Sequence, residues 1–289
     1  MMAMSETPVT ATHGVDAPPI PWVENDPSGI SALSLPSLLL AQHELTRQLA
    51  WRSIKARTQQ SFLGLLWPIS QPVTSAFLYF LVFNQLAGIE SGDVPYPLFA
   101  FTGAVLWTYV SSTTIAGTQS ITNNTGVVTR TYLPRIVLPA AACVASLFGL
   151  AISLGILGVL LAAFTFSPPL SILALPLWIA ILVIFMLGQT ALLSVLNARS
   201  RDVAQGIGYL TQLWQYASPI GYPAEVIPER WRTLYYLNPL AGIIDGFRWA
   251  ILGTDLHWRM GLSLGVAAAI VVLGFAVFAR MEKTVADFL

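Results

Sequence analysis

IVLPAAACVASLFGLAISLGILGVLLAAFT, residues 136–165, runs for thirty residues without an Asp, Glu, Lys, Arg or His. A hydrocarbon core about 30 Å thick needs roughly 20 apolar residues of helix, so this run is long enough to cross a bilayer. The rest of the 289-residue chain agrees. Hydrophobic residues make up 55% of it, charged residues 10%, and the mean hydropathy is +0.67, against about 25% charged residues in ordinary soluble domains. Further apolar runs occupy 66–87, 98–118, 171–196, 206–221 and 260–279. The run at 206–221 is short and is followed by 233–252, which Asn238 and Pro239 interrupt. That later stretch reads as a broken, re-entrant element returning to its own side of the membrane. The expected fold is an all-α integral membrane protein with six transmembrane helices per protomer.

Charge sets the orientation. With the N-terminus inside, the cytoplasmic segments hold Arg47, Arg52, Lys55, Arg57, Arg130, Arg135, Arg199, Arg201, Arg280 and Lys283, and the opposite side holds Arg230, Arg232, Arg248 and Arg259. This bias follows the rule that Lys and Arg stay on the cytoplasmic side. Both termini are therefore expected in the cytoplasm. Residues 1–35 are acidic and rich in Pro, Ser and Thr, and read as a disordered cytoplasmic tail. A transmembrane domain at 59–280 and a short cytoplasmic tail at 281–289 complete the expected layout.

Between them, 36–58 reads as one amphipathic helix lying in the headgroup layer. At 100° per residue Leu38, Leu45, Leu49 and Ala56 share one narrow face, with His43, Arg47 and Trp51 opposite. Its basic side chains would be drawn to anionic lipid. Beyond it, Pro68 and Pro72 should loosen the start of the first span, and Gln71 puts an amide at the membrane edge.

TNNTGVVTRTYLPR, residues 122–135, is a polar gap between two spans, longer than a simple reversal needs. Val127, Val128, Tyr132 and Leu133 give it apolar anchors beside Arg130 and Arg135. On these residues alone it fits either a short element docking into a soluble partner's groove or a loop whose arginines face lipid phosphates. A second polar loop, NARSRDV at 197–203, puts Arg199, Arg201 and Asp202 together.

Catalytic signals are missing. There is no Gly-x-x-x-x-Gly-Lys-Ser/Thr phosphate loop, and Glu225, Glu229, Asp245 and Asp255 stand in no setting that marks an acid and a base. The lone Cys143 excludes an intrachain disulfide, and His13, His43 and His257 lack ligand spacing, so no metal is expected. The spans carry almost no ionisable side chains. Buried charge is therefore not expected, which weighs against a proton- or sodium-coupled transporter and against a membrane enzyme.

Several blocks together resemble one family. FLGLLWPISQP at 62–72, LPRIVLP at 133–139, RSRDV at 199–203, SPIGYP at 218–223 and LYYLNPLAGIIDGFRWAILG at 234–253 follow the order found in the membrane subunit of bacterial polysaccharide ABC exporters. That group comprises the Wzm-like type 2 ABC permeases of O-antigen, capsule and teichoic-acid export. Leu133 stands where that family frequently has an aromatic residue.

The resemblance implies a homodimer of permeases with two copies of a Wzt-like cytoplasmic ABC ATPase, which would bind the ATP and Mg2+ that this chain has no site for. It further implies that Thr129, Arg130, Tyr132, Leu133, Pro134 and Arg135 contact the ATPase as a coupling helix. The helix at 36–58 would be a gate helix, with Arg47, Arg52, Lys55 and Arg57 receiving the pyrophosphate of a lipid-linked polysaccharide, of undecaprenyl type. Asn238 and Pro239 would mark a periplasmic gate.

Tyr79, Trp107, Tyr109, Trp214, Tyr216 and Tyr222 are candidate channel aromatics, because aromatic faces hold sugars while letting them slide. The expected location is the bacterial inner membrane, with no nucleic-acid partner. A type 2 ABC exporter of another lipid or a drug is the alternative reading.

Overall fold

The computed structural model describes residues 34–59, 66–126 and 133–282. Helices, with turns between them, make up the described residues, and no strand occurs among them. In chain order the helices are α1 (Leu35–Ala41), α2 (His43–Gln59), α3 (Leu66–Tyr79), α4 (Tyr96–Thr118), α5 (Val137–Ala163), α6 (Leu175–Arg199), α7 (Asp202–Ala217), α8 (Glu229–Tyr235), α9 (Pro239–Leu252) and α10 (Met260–Met281). Among the described residues, four stretches are long and apolar enough to cross a membrane: Tyr96–Thr118, Val137–Ala163, Leu170–Arg199 and Met260–Met281.

The other two expected spans differ from these in build. α3 continues through Pro72 and widens into a π-helical stretch at Phe80–Leu86, where Asn84 donates its side-chain N–H to the Ile89 carbonyl at 3.0 Å. α7 has 16 residues, about 24 Å of helix at 1.5 Å per residue, short of a hydrocarbon core of about 30 Å.

Polarity explains the centre. In α4 every residue from Leu98 to Ser111 is buried, as expected of a helix apolar on all sides. Three of its hydroxyls close on the helix itself: Thr102, Thr108 and Thr118 donate to the carbonyls of Leu98, Ala104 and Thr114 at 2.7, 2.8 and 2.6 Å. No polar group of these three therefore needs water. α3, α5, α6, α7 and α9 pack around α4. Val159, Leu177 and Val272, on α5, α6 and α10, face outward, which suits a lipid surround.

α10 crosses α6 at bare backbone. A Cβ on Gly274 would lie 2.0 Å from the Gly188 carbonyl oxygen, and one on Gly188 would lie 2.5 Å from Val271 Cα. Small residues let apolar helices approach this closely where hydrophobic exclusion supplies no drive.

The single helix expected over 36–58 is two helices. Gln42 leaves helical geometry (φ −100°, ψ 23°), and the His43 ring lies 3.1 Å from the Leu40 carbonyl, which a continued helix would give to a backbone N–H. The buried face is also rotated from the expected one. Thr46 and Ala50 are the buried residues of α2, and Ala50 packs with Ala141 and Ala145 of α5. Leu49 packs beside Ala50 against the same alanines, so close contact with small residues shifts the buried face toward Ala50 and keeps only part of the leucine stripe.

Candidate functional site

Two cavities meet along the last turns of α4. The larger, about 780 Å³, lies between α3, α4 and α7 and is lined by Gln71, Ser111, Gln119, Gln205, Gln212 and Gln215 with the rings of Trp107 and Tyr209. Among the described residues, no Asp, Glu, Lys, Arg or His lines it. The smaller, about 520 Å³, lies between α2, α5 and the end of α4, and is lined by Arg52, Ser53, Ser120, Asn123 and Asn124 among others. Ser112, Ile115 and Gln119 line both. The pair thus forms one amide- and hydroxyl-rich hollow in which, among the described residues, Arg52 on the α2 side is the charged group. Its larger part offers many hydrogen-bond partners and, among the described residues, no fixed ion to trap a ligand.

Of these lining residues, Gln71 was singled out from sequence only as an edge amide, and Gln205, Gln212 and Gln215 were not singled out. Their signal was present. Gln205 and Gln212 are seven residues apart, on one face of a helix, in a stretch otherwise rich in apolar residues.

The four basic residues expected to act together are divided. Arg47 pairs with Glu44 at 2.9 Å on the exposed side of α2, and that bond holds the Glu44 carboxyl below its usual range. Arg52, turned roughly 140° from Arg47 around the helix, lines the smaller cavity. Lys55 is exposed, and the Arg57 side chain lies outside the described residues.

The candidate aromatics are also divided. Trp107 and Trp214 meet edge to face with centroids 6.0 Å apart, and Gln215 donates to the Tyr79 hydroxyl at 2.7 Å. Phe83 lies between Tyr79 and Tyr222, 5.8 and 5.9 Å from their rings. Tyr222 donates to the Tyr216 carbonyl at 3.1 Å, and Tyr216 itself is exposed. Tyr109 stands apart, 1% exposed, its hydroxyl 3.4 Å from the Cys143 carbonyl.

Asn238 and Pro239 sit at a joint. The Asn238 amide oxygen accepts from the Leu240 N–H at 3.0 Å, capping α9, and from Trp214 Nε1 at 2.9 Å. Its NH2 group donates to the Ala217 carbonyl at 3.1 Å and to Ser218 Oγ at 2.9 Å. Pro239 occupies the first turn of α9, where its missing N–H costs nothing. The joint, with α8 and α9, lies at the end of the molecule where α6 and α10 begin: Ser263 donates to the Asn238 carbonyl, and Ser171 donates to the Trp249 carbonyl at 3.0 Å.

The expectation of no buried charge is corrected here. Arg248 of α9 is 2% exposed, and Asp245, one turn earlier, accepts from the Tyr236 hydroxyl at 2.7 Å. The sequence reading puts Arg248 on the outer side because 233–252 reads as a re-entrant element consistent with the Lys/Arg bias, and that placement carries no information about burial. In the structure its guanidinium lies 3.6 Å from the Phe99 ring centroid and donates to the Ile220 carbonyl at 2.6 Å, so protein groups replace the water.

At the opposite end, Thr129, Arg130 and Tyr132 fall outside the described residues. Leu133 packs on a cluster that contains Leu35, Ile121, Ile136, Leu138 and Phe278. Pro134 closes a turn by accepting from the Val137 N–H at 3.1 Å. The Arg135 backbone N–H donates to the Glu282 carboxylate at 3.0 Å, and burial raises the Glu282 pKa. Asn197, buried between the two polar loops, donates to Thr122 Oγ1 at 3.2 Å and accepts from the Ala204 N–H at 3.1 Å.

Residues 44–252 match the family model described as "ABC-2 type transporter", a stretch that carries both cavities and the Asn238 joint. The chain belongs to the ABC-2 type transporter family. Two relatives are each described as an O-antigen export system permease protein RfbA. The one from Myxococcus xanthus is 30% identical over 203 residues, covering 69% of this chain and 77% of the relative. One from Klebsiella pneumoniae is 25% identical over 240 residues, covering 82% and 92%. As an ABC-2 type transporter the chain is membrane-embedded. α1 and α10 lie outside the family match, yet in this ABC-2 type transporter they help close the cluster under Leu133.

Proposed function

We propose that the chain is the permease half of an exporter that moves a lipid-linked polysaccharide, such as an O antigen on an undecaprenyl-type pyrophosphate, out across the inner membrane. The observation that carries this reading is the neutral hollow beside α4. Glutamine amides, hydroxyls, Trp107 and Tyr209 line about 780 Å³, with no charged side chain among the described residues. A polyhydroxy chain finds partners at every step there and no ion that would hold it. The O-antigen export for which the relatives from Myxococcus xanthus and Klebsiella pneumoniae are named supports the same class of cargo.

In this reading α1 and α2 lie in the cytoplasmic headgroup layer and both termini are cytoplasmic. Arg52, at the mouth of the smaller cavity, receives the pyrophosphate, with Arg47, Lys55 and Arg57 attracting the lipid headgroup along the same helix. Six spans form: the four long apolar helices, α3 with its π-helical extension, and α7 completed by the non-helical residues after it. α8 and α9 are the re-entrant outer element, with Asn238 and Pro239 at its turn.

Two permeases pair, and each docks a separate Wzt-like ATPase that binds ATP and Mg2+. The segment 122–135 takes up the motion of that ATPase. Of the candidate aromatics, Trp107 lines the larger cavity and would meet sugar there, whereas Tyr109 acts in packing.

Deletion of the gene tests the reading: one surface glycan should disappear while its lipid-linked precursor accumulates inside. Complementation with a Gln205→Leu, Gln212→Leu double variant should leave the protein in the membrane but cut export. Full export by that variant, or an unchanged surface glycan after deletion, would sink the proposal.

A further inference from the structure

α7 ends at Ala217, and the next four residues, Ser218 to Gly221, are both non-helical and buried. Non-helical backbone inside a membrane protein persists only where other groups take its carbonyls and N–H groups. Three side chains, two from α9 and its cap and one from α4, supply them. Asn238, ahead of α9, takes the Ala217 carbonyl. Tyr96, the first residue of α4, donates its hydroxyl to the Gly221 carbonyl. Arg248, two-thirds along α9, takes the Ile220 carbonyl through Nη2 at 2.6 Å, and the same nitrogen lies 3.4 Å from the Phe99 carbonyl.

The site is built around this contact. Gly103 of α4 presents bare backbone: a Cβ there would stand 2.5 Å from the Ile220 carbonyl oxygen and 2.8 Å from Arg248 Nη2. The guanidinium is stacked on Phe99 and its Nε has no hydrogen-bond partner. A buried ionic group is weak evidence of stability, because an apolar residue of similar size often does as well. Burying a cation with an N–H unmet calls for a reason other than fold stability, and its short bond to the broken backbone supplies one.

We infer that Arg248 is a positioning residue of the transport path, fixing the break after α7 so that the groove-lining face of α7 stays seated against α4. This rests on the reading of the Gln-lined hollow as the path. Gln215 and Trp214 lie within the last turn before the break, bonded to Tyr79 and Asn238. If the Ile220 carbonyl is released, the outer end of that hollow loses its fixed wall. Asn238 and Tyr96 hold the residues on either side, so loss of Arg248 should free the middle of the break without unfolding α7.

The test is cysteine labelling in membrane vesicles holding the full-length permease and its ATPase subunit. Ile220→Cys in a Cys143→Ala background, buried when Arg248 is present, should react slowly with a membrane-impermeant maleimide. Arg248→Met should speed labelling by about tenfold as the segment opens locally, and Arg248→Lys, whose ammonium can still reach the carbonyl, should restore protection. Gly103→Ala should also speed labelling by pushing on the same contact with Arg248 in place. Unchanged labelling in Arg248→Met overturns the inference, and if that variant does not fold, unchanged labelling in Gly103→Ala overturns it. Labelling needs no substrate. Correct protection in a strain whose lost glycan is not the expected one overturns the transport reading alone.

Discussion

Asn238 shows how much one side chain can organise. It caps α9, holds the indole of Trp214 and takes the last carbonyl of α7. Asn238→Ala loses a cap worth about 1 kcal/mol, and leaving the Trp214 N–H unpaired adds about 1–3 kcal/mol. Thermal unfolding in detergent should therefore show a clearly lower midpoint, with Asn238→Asp between the two because it keeps the acceptor and loses the donors. Equal midpoints for Asp and Ala would mean that the acceptor does not matter. The Asn-Pro pair itself was legible as a break, since proline ends one helix and suits the first turn of another. What Asn238 bonds to was not legible, because Trp214 and Ala217 lie more than twenty residues earlier. Arg248 was misread for a related reason: sequence reports its charge and not the carbonyl that waits for it.

Among the elements, the long apolar helices were the readable ones. Length and composition alone placed α4, α5, α6 and α10 to within a few residues, because a bilayer needs some 20 apolar residues and tolerates few charges. The α2 region was read less well. Its leucines suggested a face, yet the face buried is the one whose alanine fits between Ala141 and Ala145 of α5. The crossing of α6 and α10 depends on a similar fit. Gly274→Leu, placing a side chain where the Gly188 carbonyl lies, should cost about 1–3 kcal/mol or more and lower the yield of monodisperse protein on size exclusion. Gly265→Leu in the same helix, with open space around its Cβ, should be harmless. Equal yields for the two would remove the crossing as a constraint.

The whole molecule has two dissimilar ends. At one, Leu133 and the start of α5 rest on α1, α6 and α10, and the Arg135 backbone is tied to Glu282 just past α10. The Arg135 side chain is half-buried and its charge acts on Glu282, so Arg135→Ala, which keeps the backbone N–H and adds no second carboxylate there, should weaken co-purification with the ATPase subunit by about tenfold or more, since losing one partner of a docked charge pair costs about 2 kcal/mol or more. Undiminished co-purification, with export intact, would reduce the segment to a loop.

At the other end, α8, α9 and the break after α7 interlock through Asn238, Tyr96 and Arg248. The sequence by itself determined the solvent, the all-helical class and the order of the four long apolar helices, because hydropathy and residue spacing are local properties that a lipid surround enforces. Only the tertiary structure decided which amides share a cavity, that Arg52 opens onto it while Arg47 pairs with Glu44, and where a buried arginine finds its partner. Those depend on backbone carbonyls and side chains brought together from distant parts of the chain, and no local pattern records that meeting.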